Sequence, residues 1–345
     1  MLNVHMYSSA TKVKGQGVGS AYTELIKLLK KYYPDQLEIT INQFSPADIS
    51  HYHTIDPKFF LSTFSKKRGK KIGYVHFLPE TLEGSLKLPW IAKKVLYRYV
   101  IAFYKRMDAL VVVNPTFIPK LEAYGIKKEK ITYIPNFVSK AEFFPMNAQE
   151  KQQLREKYQI AKDRFVILGV GQVQERKGVF DFIKLAKQNP ELEFIWVGGF
   201  SFGVITDGYA ELKKVVEAPP ANLSFPGIVE RKKMNDYYNI ADVFLLPSYN
   251  ELFPMSVLEA FSSQTPVMLR ELDLYQGVIQ GYYAGCNDVT EMDAKLQMLA
   301  KDERALMALQ KKAISAAKFY SEDRLAKIWL EYYQKQVGKN NVKEK

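Results

Sequence analysis

Short apolar runs alternate with amphipathic stretches along the whole chain. Leu2–Tyr7 reads as a buried first strand. Residues 21–33 carry Leu25, Leu28, Leu29 and Tyr32 at helical spacing, and Pro34 ends that helix. Residues 37–44 alternate as a second strand, and 71–76, 110–113 and 131–134 read as further strands with helical segments between them. A polar, charged stretch follows over 139–164, with a helical patch at Ala148–Lys157. A second series then starts: a strand over 165–171, a helix at Val179–Gln188, and strands at Glu193–Val197, 222–227, 241–246 and 265–269. Strands alternating with helices predict parallel sheets covered by helices on both faces. The fold class expected is therefore α/β, doubly wound twice, with the polar stretch as linker.

Length agrees with that pattern: 345 residues predict about two domains. A single cysteine, Cys286, excludes an internal disulfide framework and suits a reducing cytosol. The N-terminus lacks a signal-peptide pattern, and no apolar run is long enough to span a bilayer. The net charge of +12 is uneven: residues 1–150 hold 22 Lys/Arg against 12 Asp/Glu, and the remainder 27 against 25. The first half thus faces something anionic, or is merely soluble and basic.

The charge concentrates in two places. One is the run Lys66, Lys67, Arg68, Gly69, Lys70, Lys71. The other is the segment 86–107, which interleaves Trp90, Tyr97, Tyr99, Phe103 and Tyr104 with Lys93, Lys94, Arg98, Lys105 and Arg106. On a helical wheel Lys94, Arg98 and Lys105 share one stripe. Such a helix can lie in the interface of an anionic membrane. A solvated face over a buried helix is the competing reading. Nucleic acid is disfavoured, because no recognised module accompanies a charge that is local.

In parallel sheets ligands sit beyond the carboxyl ends of the strands. The loop after the first strand holds Gly15, Gly17 and Gly19, spaced G-x-G-x-G rather than as a dinucleotide fingerprint. Alone it equally fits a plain flexible loop. His51, His53 and His76 fall at strand ends; His76 could bond a sugar hydroxyl or a phosphate or be structural, and the structural reading is stronger for His51 and His53. A zinc site is disfavoured by the absence of cysteine or HExxH-type spacing. Gly171 and Gln172 open a loop that places Arg176 and Lys177 just past a strand, where two cations could neutralise a diphosphate or stand solvated.

The stretch after the strand at 241–246 is the most specific. Residues 248–252 read as a loop and Pro254 as the first residue of a helix. The N–H groups of Met255, Ser256 and Val257 would then face the loop, a ready anion site. Glu251 stands just outside and Glu259 about two turns along. Acceptor-only carboxylates flanking an anion site suit a ligand with hydroxyls at both ends and phosphate between, as in a nucleotide sugar. An ordinary strand–loop–helix with solvated acids fits the isolated stretch equally.

Taken together, the glycine loop, the 48–53 segment, His76, Ile134-Pro135-Asn136, Gly171 to Gly178, residues 241–248 and Glu251 to Glu259 resemble the retaining glycosyltransferases of family 4 (GT4) over nearly the whole chain. The resemblance implies a GT-B fold: two Rossmann-like domains facing a cleft, residues 1–145 acceptor- and membrane-facing and 146–319 binding the nucleotide sugar. The ending, residues 320–345, resembles the family's last helix, which crosses back to the first domain. Within the family, residues 75–80, 172–178 and 269–275 look most like bacterial enzymes that glycosylate diacylglycerol lipids, of the type adding a hexose to glucosyl-diacylglycerol. One departure is Gln172, where many members carry arginine; the diphosphate would lean on Arg176 and Lys177.

The resemblance implies roles. Glu251 would contact the donor hexose and Glu259 the ribose. Lys177 and Arg176 would stabilise the leaving diphosphate. The backbone of Phe253, Pro254, Met255 and Ser256 would hold donor hydroxyls and phosphate. His76 would bind the sugar's 6-hydroxyl, and Gly17 would admit the phosphates. The implied donor is UDP-galactose or, second, UDP-glucose, with no cofactor and no metal. The implied acceptor is glucosyl-diacylglycerol at the cytoplasmic face of the cell membrane, held peripherally. A soluble or polymer acceptor, such as a capsule or teichoic-acid precursor, and a non-catalytic nucleotide- or sugar-binding protein are the alternatives.

Overall fold

The computed structural model describes residues 1–10, 17–82, 89–200, 208–251 and 253–338. They form two compact units. One takes the described residues of Met1–Glu83, Leu88–Phe137 and Glu322–Lys345, the other those of Val138–Ser321.

The first unit is a six-stranded sheet of β1 (Leu2–Tyr7), β2 (Leu37–Ile41), β3 (Ile49–Tyr52), β4 (Lys70–Val75), β5 (Ala109–Val112) and β6 (Ile131–Tyr133). The order is β2-β1-β3-β4-β5-β6 and every pairing is parallel. Val4 pairs with Ile39 on one side and Ile49 on the other, so the strand order reverses between β1 and β3. All four residues of β5 are buried, as expected of a strand covered on both faces. The helix Glu322–Gln336 belongs to this unit: Tyr333 is hydrogen-bonded to His51 of β3 at 2.8 Å, and Lys31 donates to Glu322 at 2.9 Å.

The second unit is another six-stranded parallel sheet, from β7 (Val166–Val170), β8 (Glu193–Val197), β9 (Leu223–Gly227), β10 (Val243–Leu246), β11 (Val267–Arg270) and β12 (Ala284–Cys286). The order is β12-β11-β10-β7-β8-β9. Here the reversal falls between β7 and β10, which pair at Val243 with Ile167 and Phe244 with Leu168. Phe182, Phe194 and Trp196 pack edge to face within this core.

Several expectations shift. The first helix is Gly17–Tyr32, so Gly17 to Ser20 are helical; residues 11–16 of the glycine loop lie outside the described residues. The strand expected at 37–44 stops at Ile41, where Asn42 takes φ +54°. β3 and the three-residue β12 are additional strands. The changeovers between units fall at Phe137/Val138 and Ser321/Glu322.

The basic cluster divides. Lys66 and Lys67 are exposed, but Arg68 is 3% exposed and cannot meet a membrane. Its guanidinium donates to the Tyr7 hydroxyl at 2.6 Å and to the Phe44 carbonyl, which makes it a strut of the core. Arg106 is half-buried, donating to the Thr63 carbonyl at 3.1 Å and lying over the Phe64 ring at 4.2 Å.

Candidate active site

The reversal between β7 and β10 opens a site at the carboxyl end of the second sheet, where doubly wound folds bind ligands. The loop after β7 crosses it as a single turn, Glu175–Lys177, ending on Gly178. Gly178 takes φ +72°, and a Cβ there would collide with the Pro247 carbonyl oxygen past β10. Only glycine lets the two loops approach this closely. Ties between them follow: Tyr249 N donates to the Arg176 carbonyl at 2.9 Å, and Arg176 donates to the Asn250 carbonyl at 2.7 Å.

This approach brings Lys177 and Glu251 together as an ion pair between side chains 13% and 7% exposed. Burial pushes the Glu251 carboxyl up, but the charges of Lys177 and Arg176 outweigh it and hold the group below the usual carboxylate range. Burial likewise draws the Lys177 ammonium down, with Glu251 opposing. Gly171 and Gln172 lie half-buried at the start of the same loop.

The helix past β10 is Met255–Ser262, with Pro254 at the N-cap position and no side chain capping it. The helix thus starts one residue later than expected. Val257 N–H does not face the loop: it donates to the Pro254 carbonyl at 3.1 Å. Phe253, Pro254 and Met255 are buried and Ser256 is half-buried; Phe253 packs on Tyr320 at 5.3 Å. Leu252 lies outside the described residues. Glu259, 5% exposed, is not solvated. One oxygen accepts from Arg231 at 3.0 Å and the other from the Tyr238 hydroxyl at 2.7 Å. Each carboxylate oxygen keeps a second lone pair for a ligand. Sequence reasoning missed Arg231 and Tyr238; both lie on the helix Arg231–Ile240, whose packing against Glu259 no local pattern announces.

In the first unit His76 follows β4 and His53 follows β3. His76 Nε2 stands 3.4 Å from His53 Nδ1, and the His51 and His53 rings are 4.2 Å apart. Burial pushes His51 and His76 down to about 3 and holds His53 well below the ordinary imidazole value, so the three are neutral at physiological pH. Among the described residues no group of three or more His, Cys, Asp or Glu is arranged to hold a metal ion.

The helix Trp90–Lys105 buries Val100, Phe103 and Tyr104 and exposes the opposite face. That face carries Lys94, Arg98 and Lys105 together with Trp90 at 72%, Ile91 at 59% and Val95 at 63% exposure; Lys93 is half-buried. Leu61 and Phe64 are exposed beside it, the helix Pro57–Ser62 meeting it through Phe60 and Tyr99 at 5.5 Å. Among the described residues no helix is long and apolar enough to cross a membrane.

Two parallel sheets, with a paired cation and carboxylate at the reversal of the second, define a two-unit α/β protein. The pattern of Glycosyl transferases group 1 matches residues 150–318, and that of Glycosyltransferase Family 4 matches 14–142. The chain is 51% identical to the alpha-galactosylglucosyldiacylglycerol synthase of Streptococcus pneumoniae (strain ATCC BAA-255 / R6) across 98% of this chain and 90% of that one. It is 25% identical to the processive diacylglycerol alpha-glucosyltransferase of Acholeplasma laidlawii, across 79% of this chain and 80% of that one. Anabaena Alr3699/HepE in complex with UDP and glucose superposes with a TM-score of 0.77 at 15% identity, covering 96% of this chain and 99% of that one. The fold is GT-B, and the chain belongs to the family 4 glycosyltransferases.

Proposed function

We propose that this glycosyltransferase moves an α-hexosyl group from a UDP-sugar, UDP-galactose first and UDP-glucose second, onto glucosyl-diacylglycerol. The observation that carries the reading is the Lys177–Glu251 pair beneath the uncapped helix start, in a chain half identical to a synthase of that product type. Residues of the second unit bind the donor. Glu251 accepts from the hexose hydroxyls and Glu259 from the ribose. Lys177 has three N–H donors and one is held by Glu251, so the ammonium can bridge that carboxylate and the diphosphate. With Arg176 it stabilises the charge that grows on the leaving UDP, where a fixed cation lowers the barrier most. Gly171, Gln172 and the backbone of Phe253 to Ser256 line the phosphates and hexose. His76, neutral, bonds the hexose 6-hydroxyl as donor or acceptor, and Gly17 lets the chain approach the phosphates. Retention proceeds by attack from the leaving-group face, with the departing phosphate oxygen taking the acceptor's proton.

The first unit meets the membrane. Its exposed face mixes apolar side chains that can enter the acyl boundary with cations that attract anionic headgroups. Leu61 and Phe64, absent from the sequence reading, extend that face. The protein then works peripherally on the cytoplasmic leaflet, where a glycosylated diacylglycerol presents its sugar.

The test is purified protein with anionic vesicles containing glucosyl-diacylglycerol, offered UDP-galactose or UDP-glucose, with linkage analysis of the product. An α-linked dihexosyl-diacylglycerol supports the reading. Consumption of neither donor, or equal transfer to a water-soluble glucoside without vesicles, rejects it.

A further inference from the structure

The polar stretch expected as a linker is not free of the second unit. Its first part, just past the changeover at Phe137/Val138, is fastened to the two helices that hold Glu259 and its donors. The Phe144 and Met146 N–H groups donate to Asn235 at 3.1 Å and Asn239 at 2.7 Å, both on the helix Arg231–Ile240. The Phe143 carbonyl accepts from Ser262 of the helix Met255–Ser262 at 2.7 Å. Phe143 is fully buried, and both donors to Glu259 rest on its ring. The Arg231 guanidinium lies 4.9 Å from the ring centre, and Tyr238 meets it edge to face at 5.7 Å. Beside it Glu142 accepts from Arg231 Nε at 2.6 Å, while Arg231 Nη1 donates to Glu259 Oε1 at 3.0 Å. One guanidinium thus joins an acid of this segment to the acid assigned to the ribose.

We propose that Glu142 is a positioning residue for nucleotide recognition, acting through Arg231 to keep Glu259 open to the ribose hydroxyls. This rests on the donor-site reading above. A guanidinium left with one carboxylate favours a fork onto both of its oxygens. Such a fork would take the lone pair that Oε2 keeps beside its bond from Tyr238, one of the two open to the ribose. Glu142 prevents this by holding Nε, which fixes the plane of the group and presents Nη1 alone to Glu259. The Phe143 ring beneath restricts that plane further, and it sets the Tyr238 hydroxyl against the other oxygen.

The test is the affinity of the full chain for UDP and for 2′-deoxy-UDP by titration calorimetry. Wild type prefers UDP by about tenfold or more, as expected of a hydrogen bond to a charged group. Glu142→Ala frees the guanidinium and shrinks that preference to within about threefold, while 2′-deoxy-UDP binds within about twofold of wild type. Glu142→Gln, whose amide oxygen can still accept from Nε, falls between the two. The side chains of Glu142 and Arg231 are 26% and 31% exposed, so neither variant leaves a fully buried charge and both are expected to fold. A role in stability alone would weaken both ligands equally and keep their ratio. A wild-type ratio in Glu142→Ala therefore overturns the inference and leaves the donor site standing. A wild type that binds both ligands alike overturns the ribose role of Glu259 and this inference with it.

Discussion

Lys177 and Glu251, 74 positions apart, neutralise one another where β7 and β10 part, and neither is exposed enough to rely on water. Removing either leaves a buried charge unpaired, which typically costs about 3–5 kcal/mol. Glu251→Ala is therefore expected to lose transfer and also stability. Replacing both, as Lys177→Met with Glu251→Leu, is expected to recover the melting temperature of the wild type and none of its activity. Thermal unfolding and radiolabelled transfer separate the two effects. If both singles unfold no earlier than wild type, the pair is not the buried contact described.

Glu259 reads the ribose if its remaining lone pairs face the nucleotide. Wild type is then expected to bind UDP more tightly than 2′-deoxy-UDP by about 1.5–3 kcal/mol, the worth of a hydrogen bond to a charged group. Glu259→Gln keeps the shape and is expected to erase most of that difference while still binding the diphosphate. Titration calorimetry of the four combinations forms a double-mutant cycle. An undiminished preference in Glu259→Gln removes the ribose role.

The parts of this site that the chain advertises are those made locally. Continuous apolar runs mark β7 and β10, Gly178 and Pro254 punctuate the loops, and Lys177 and Glu251 follow directly. What stayed hidden is decided by distant packing. β3 reads Ile-Ser-His-Tyr, half polar, yet all four residues are buried because Tyr333 and Tyr74 close over the histidines. Arg68 looks like its basic neighbours until Tyr7 and Phe44, 61 and 24 positions away, enclose it.

Membrane attachment is expected to have two separable components. Changing Lys94, Arg98 and Lys105 to Gln is expected to weaken partition onto anionic vesicles by about 1 kcal/mol per residue, with the difference vanishing at high salt. Changing Trp90, Ile91 and Val95 to Ser is expected to weaken partition onto anionic and zwitterionic vesicles alike, because apolar insertion is indifferent to headgroup charge. Vesicle flotation at two salt concentrations reads both. If neither triple variant moves the partition, the helix does not carry the attachment.

The histidines of the first unit make its stability depend on acid. His51, His53 and His76 are held neutral in the fold, with pKa values pushed below the ordinary 6.5 by burial. Below about 6.5 the unfolded chain binds protons that the folded chain refuses, so stability is complete above that pH and declines as pH falls toward the folded values. Each such histidine contributes a slope of up to about 1.4 kcal/mol per pH unit. The melting temperature is expected to drop between pH 7 and pH 5 more steeply in wild type than in His53→Phe, which removes one titrating group and keeps the aromatic packing against Tyr22 and Tyr74. Parallel thermal scans across that interval measure the two slopes. Superimposable slopes would mean that His53 protonates as readily folded as unfolded, contrary to its place in the core.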